Sequence, residues 1–452
     1  MQLSSTLALR SGLTLALALV SVSRTARAQS AADLPDVLCF RSARDTSGGT
    51  TPRSGVYAMD YERQRLEPAA LPIVGGTSDI GALLGVGGTL SFFRDGCRPY
   101  FWGMSAILAA SSRTTPRGFE FVEQNIRWQM DIIGVLRGRL RLRPALFFSR
   151  TTGINYFGLG NGERAVQPEP FRGEPGRFNQ FGSWDIWAFL DARFMVKRPF
   201  SIGLSMAYQY ADPEVYRGSQ LANEVAMRTA SGEPLLYGVQ KLHIWRTMVS
   251  AVVDRRDNEL MPRRGYGVGV WGSFNRAFPL SSDVVYGSVG LSASVYVPVI
   301  GPLIFASRVV TDWQFGRVPF YDLFRGAGPY LIDMPGGVNG IRGVPAARYA
   351  GPIKMFANIE FRALLRQVRM FGQEFGIGPS VFFDFGRVFS DYTFSSPLDG
   401  PAPGIKWGAG LGALLRWGQA AVFRIEFAYS PDVAAVNPSF PFSFYVVDHL
   451  SF

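Results

Sequence analysis

The chain has 452 residues, 14% of them aromatic, a formal charge of +11 and a mean hydropathy of only +0.09. Past its N-terminus no run of about 20 apolar residues occurs, which excludes a transmembrane helix there. The charge does not point to nucleic acid, because the arginines are spread through alternating segments rather than clustered.

Residues 1–28 read as a secretory leader. Arg10 supplies a positive start, Leu13 to Val22 an apolar core, and Ala26-Arg27-Ala28 a small-x-small cleavage site. Removing it takes away three arginines and no acid, leaving +8. Residues 29–70 form a polar segment with no long periodicity, expected to be periplasmic. Residues 71–452 read as the barrel described next.

From Leu71 the chain becomes a series of short alternating segments divided by Gly, Pro, Asn and Asp. The first, Leu71 to Gly76, is brief, with Pro72 near its start and two glycines at its end. It is expected to make few ladder bonds, because proline donates none. Ile80 to Phe93, Arg98 to Ser111, Phe119 to Ile133 and Gly138 to Arg150 follow. In RLRLRPALFF, arginine takes every second place, so one face is charged and the other apolar. After a long loop from Thr151, Gly176 to Val196 sets Asp185, Asp191 and Arg193 opposite Trp184, Ile186 and Leu190.

Pro199 to Ala211, Lys241 to Asp254, a strand around Tyr266 to Phe274, Val285 to Val297 and Gly301 to Phe315 come next. A long Gly/Pro-rich loop, Gly316 to Gly351, interrupts the series. Strands from Ile353, Ile377, Lys406, Ala421 and Phe442 complete a count of about 16. The expected fold class is therefore all-β, a transmembrane antiparallel β-barrel. Short turns alternate with long loops, as in barrels that sit in an outer membrane.

Within the long loop the kernel is Ile341-Arg342-Gly343, followed by Arg348-Tyr349. One arginine between tightly bending residues aims a single charge at a partner. Cys39 and Cys97 are either a candidate disulfide or two buried thiols. His243 and His449 are the only histidines. No spacing forms a metal site or a nucleophile–base pair, so neither cofactor nor enzymatic activity is expected.

Several stretches in order resemble the BamA/TamA-type superfamily of outer-membrane assembly barrels, the bacterial surface-antigen family. They are SDIGALLGVGGTLSFF, NYFGLGN, DRRDNELMPRRG, GGVNGIRGVPAARYAG and FFDFGRVF. The resemblance covers about residue 71 to the end. It implies that the loop after the eleventh strand folds into the lumen and that Arg342 pairs with Asp384 there. Relatives often add an acid from the following strand. Lys406 to Trp417 has none, which leaves Glu360 and Glu426 as substitutes. The C-terminal pattern Phe444, Val446, Leu450 and Phe452 looks like a barrel-assembly signal shared on one strand face.

Relatives that recruit clients usually carry N-terminal POTRA domains, for which 29–70 is too short; a POTRA-less member is expected. The implied setting is the bacterial outer membrane, reached by export. The implied partners are its lipids and lipopolysaccharide, client outer-membrane proteins and the barrel-assembly machinery, with no nucleic acid. The implied role is outer-membrane assembly or protein and lipid translocation. A passive or plugged pore for small solutes and a surface adhesin or receptor are the alternatives.

Overall fold

The computed structural model describes residues 64–77, 81–94, 97, 99–115, 118–162, 167, 172–229, 231–279, 282–326, 332–370, 373–436, 440–447, 450 and 452. The leader, the segment up to residue 63 and Cys39 lie outside them.

Strands β1 (Arg65–Thr77), β2 (Gly81–Phe93), β3 (Trp102–Thr115), β4 (Gly118–Val135) and β5 (Leu140–Asn155) begin the sheet. β6 (Gln180–Lys197), β7 (Phe200–Glu214), β8 (Leu242–Asp254), β9 (Gly265–Phe278), β10 (Val285–Ile300) and β11 (Leu303–Gly316) carry it on. β12 is interrupted, Ile353–Ala363 and then Arg366–Met370, both halves lying on β13 (Gln373–Phe389). β14 (Lys406–Trp417), β15 (Ala421–Tyr429) and β16 (Phe442–Val447) close the series. The 17 strand segments of the sheet thus make sixteen strands once the halves of β12 are joined. Each strand pairs antiparallel with the next in sequence.

The sequence alternation becomes two surfaces. Leu108, Ile202, Val249, Phe274 and Leu411 point outward and are exposed, as a lipid-facing wall requires. Asp191, Gln209, Asp312 and Glu360 point inward and are buried. No helix among the described residues is long and apolar enough to cross a membrane. Among the described residues two short α-helices, α1 (Gln220–Val225) and α2 (Pro431–Val436), lie in loops at the long-loop end.

The two ends of the sheet differ from expectation. β1 starts at Arg65, six residues before the predicted boundary, and pairs with β2 along its whole length, from Arg65↔Phe93 to Thr77↔Gly81. Arg65, Glu67 and Pro68 mask the alternation of its early part. The short strand is instead β16, which pairs with β15 only from Arg424↔Val447 to Tyr429↔Phe442. No pairing between β1 and β16 occurs among the described residues. Ala69 of β1 packs beside Ala421 and Phe423, at the end of β15 that β16 leaves uncovered. The Gln419 amide donates to Glu67 Oε2 at 2.8 Å.

The C-terminal pattern does not share one face. Phe444 faces outward from β16, but the strand ends at Val447. Leu450 is buried in the lumen with Met261, Ile304, Leu364, Leu414 and Val422. The Phe452 ring lies 5.0 Å from the Arg308 guanidinium and 6.2 Å from the Tyr296 ring. Apolar groups inside the lumen thus draw Leu450 away from the membrane face.

Cys97 lies buried in the β2–β3 turn and is disulfide-bonded; its candidate partner, Cys39, is outside the described residues.

Candidate functional site in the barrel lumen

The loop between β11 and β12 turns into the barrel. Its first part carries Phe320, Tyr321, Leu323 and Phe324 into an apolar cluster with Tyr156, Phe181 and Leu221. Asp322 accepts a hydrogen bond from Tyr286 and pairs with Arg246 at 2.8 Å. Ile341, Val344 and Tyr349 then pack against Met248, Trp271, Val310, Phe356 and Val388 on the inner wall. Burial of these side chains, at about 1.5–3 kcal/mol each, outweighs leaving so long a loop in solvent.

This packing delivers Arg342 to the wall with no exposed surface. Its Nε donates to Asp384 Oδ2 at 2.7 Å, its Nη2 to Asp384 Oδ1 at 3.0 Å, and its backbone N to Oδ2 at 3.1 Å. Nη1 reaches Glu360 Oε2 and Glu426 Oε1, both at 2.9 Å. The guanidinium lies 3.5 Å from the Phe382 ring. Three strands, β12, β13 and β15, each supply one carboxylate. Arg424 bonds both oxygens of Glu426 at 2.8 Å, and Arg362 approaches Glu360 at 3.5 Å. Three arginines therefore face three acids, and the buried cluster carries no net charge, which offsets the desolvation each ion suffers.

The intervening strand β14 contributes by what it lacks. Its inward positions are Gly408, Gly410 and Gly412. A Cβ at Gly408 would lie 1.8 Å from the Arg342 carbonyl oxygen, one at Gly410 2.5 Å from the Phe382 ring, and one at Gly412 2.7 Å from Glu426 Cγ. The bare strand lets the loop backbone touch the wall and lets Arg342 reach across to Glu426. The missing acid on this strand is thus a smooth seat for the loop.

Further anchors hold the loop on either side of the arginine. Gly343, at φ +94°, donates to the Tyr445 hydroxyl at 3.1 Å, and its carbonyl accepts from Ser430 Oγ at 2.8 Å. Asn358 Nδ2 donates to the Gly340 carbonyl at 2.7 Å, and Arg308 to that of Asn339 at 2.6 Å. Tyr349 donates to Asp432 Oδ1 at 2.5 Å, and Arg348 lies 3.7 Å from the same oxygen. Of these anchors, Tyr445, Ser430, Asn358 and Asp432 gave no signal in the sequence, because their partners are backbone groups or distant loop residues.

Two other motifs find places around this centre. In NYFGLGN, the Gly160 amide donates to the Ala350 carbonyl at 2.7 Å, Asn161 Nδ2 donates to Gly404 O at 2.7 Å, and Asn161 Oδ1 accepts from Val388 N. This stretch ties the lumen loop to the β13–β14 loop. Tyr156 donates to Glu224 of α1 at 2.5 Å; burial and then that carboxylate push its hydroxyl well above the usual tyrosine range.

At the short-turn end, DRRDNELMPRRG folds inward. Asp257 caps the Arg263 and Arg264 amides, and Met261 enters the same apolar cluster as Leu450. Arg141 Nη1 bonds Glu259 at 2.8 and 2.9 Å. Burial pushes the Glu259 carboxyl up, but Arg141, then Arg256 and Arg143, override this and hold it at about 2. A folded-state value below the unfolded one means stability that is present above about pH 5 and lost as the pH falls toward 2. Glu259→Gln is therefore expected to cost about 1.5–3 kcal/mol at neutral pH. In urea unfolding, the gap between variant and wild type should close as the pH falls from 5 to 2. A gap that stays constant would contradict the assignment.

A sequence model of the Omp85 superfamily domain matches residues 190–444. Among solved structures, CdiB from Escherichia coli aligns at TM-score 0.50 and 13% identity, over 84% of this chain and 62% of that one. BamA from Haemophilus ducreyi lacking POTRA domains 1–3 aligns at TM-score 0.49 and 14% identity, over 86% of this chain and 70% of that one. The chain thus spans less than two thirds of the CdiB chain. No curated protein sequence matches this chain.

Proposed function

Because the chain belongs to the Omp85 superfamily, we propose that this outer-membrane barrel assists insertion or translocation of outer-membrane protein or lipid through the seam between β1 and β16. The observation that carries the reading is the wall itself. Every other neighbouring pair of strands forms a ladder, whereas β16 holds only six residues of β15 and shows no pairing with β1 among the described residues. An interrupted ladder needs few broken hydrogen bonds to part. The Arg342 cluster would keep β12, β13 and β15 in register while the seam moves. The client chains handled elsewhere in the superfamily are the class of substrate inferred here.

The test is folding of a small client barrel into liposomes that contain the purified protein. Faster folding than in empty liposomes, reduced in Arg342→Ala, is the expected result. Equal rates with and without the protein would refute the insertase reading. A second reading is a plugged pore, favoured by a lumen cavity of about 570 Å³ lined by Arg127, Arg141, Arg143 and Arg246. A steady large conductance in planar bilayers would select it.

A further inference from the structure

The outer surface of β5–β9 near the long-loop end carries charge where a lipid-facing wall ordinarily carries none. Register places three rows there. Arg150 lies opposite Trp184, and Trp184 opposite Asp212. Ile186, Tyr210, His243 and Phe278 form the second row. Tyr208, Trp245 and Arg276 form the third. Trp184 and Trp245 are each 44% exposed. Tyr208 and His243 share a hydrogen bond of 2.6 Å, and Lys241 lies 3.3 Å from Asp212.

Arg150 and Arg276 differ from the arginines inside the barrel. Arg143, Arg246 and Arg342 each meet a carboxylate. Arg150 lies 4.7 Å from the Trp184 ring and Arg276 stands beside Trp245, but neither has a carboxylate in ion-pair distance among the described residues. The Nε of each is buried without a hydrogen-bond partner. An uncompensated guanidinium on a membrane face is costly unless an anion outside the protein meets it. Tryptophan and tyrosine mark the headgroup level, where such anions lie. Guanidinium groups match phosphate with two parallel hydrogen bonds.

We propose that Arg150 and Arg276, framed by Trp184, Tyr208 and Trp245, form a binding surface for a phosphate-bearing glycolipid headgroup of the outer leaflet. The occupant is the lipid and not free phosphate, because the aromatic frame lies along the hydrocarbon boundary. The surface lies away from the seam, so it serves anchoring and orientation whether or not the barrel acts as an insertase.

The test uses the full chain in phosphatidylcholine vesicles, with lipid A, dephosphorylated lipid A or inorganic phosphate added. Lipid A should raise the thermal unfolding midpoint, and the other two additions should not. Arg150→Gln/Arg276→Gln should match wild type in phosphatidylcholine alone and bind lipid A about tenfold more weakly. An unchanged lipid A increment in that variant, or an equal increment from dephosphorylated lipid A or inorganic phosphate, would overturn the proposal. Native mass spectrometry of the wild type decides the matter even if the variant does not insert. Preferential retention of lipid A over its dephosphorylated form supports the surface, and equal retention refutes it.

Discussion

Arg342→Ala is expected to release the lumen loop and to destabilise the barrel by about 3–5 kcal/mol, the cost of leaving buried charge without its partner. The wild-type guanidinium makes four side-chain hydrogen bonds to three acids from three strands. Alanine removes the one positive group that meets the Asp384 side-chain oxygens among the described residues, at a site with no exposed surface. Arg424 remains on Glu426 and Arg362 near Glu360, so Asp384 carries most of the loss. Two measurements follow. The urea midpoint in vesicles should fall, and protease added from outside should cut the loop near Arg348, a residue buried in the wild type. Arg342→Lys should rescue only in part, because an ammonium cannot span Asp384 in parallel while reaching two glutamates. Wild-type resistance to protease in the alanine variant would mean that apolar packing of Ile341 and Val344 alone seats the loop.

Gly408→Ala should unseat the same loop without touching a charge. The added methyl would lie 1.8 Å from the Arg342 carbonyl oxygen, a backbone atom that moves only if the loop moves. A cost of about 1–3 kcal/mol is expected, typical of forcing extra volume into packed structure. Gly272→Ala provides the control, since its added methyl meets nothing nearer than 3.9 Å. The expected pattern is a lowered midpoint and an accessible loop in the first variant, and wild-type behaviour in the second. Equal behaviour of the two would show that the loop does not rest on β14.

Much of this was legible in the sequence because a barrel wall has a strict period. Val289, Leu291 and Ala293 alternate with serine and glycine, and such strands have one lipid face and one wet face whatever their partners. The short-turn and long-loop rhythm and the count of about sixteen strands follow from that period, whereas the pairing of Arg342 with the acid of FFDFGRVF follows from the resemblance of the two motifs to the family's. The seat on β14 follows from neither. GAGLG reads as a weak strand, and only the loop pressed against it gives Gly408 a reason. Tyr445 and Asn161 were equally silent, since an alternating pattern says which way a side chain points and not which backbone amide waits there. The length of the first strand is not legible in the sequence, because prolines donate no ladder bond, yet the ladder accommodates both Pro68 and Pro72. The alternation of the last residues continues in the sequence past Val447, where the strand ends.

That final departure bears on how the protein can be handled. With Leu450 enclosed by β11, β12, β14 and β15 and the Phe452 ring against Arg308, these two side chains act as packing inside the lumen. An insertion or label at Leu450 or Phe452 would displace their contacts with Met261, Ile304 and Arg308. An affinity tag there would compete with the protein's own interior, so reporters and purification handles belong in the surface loops instead.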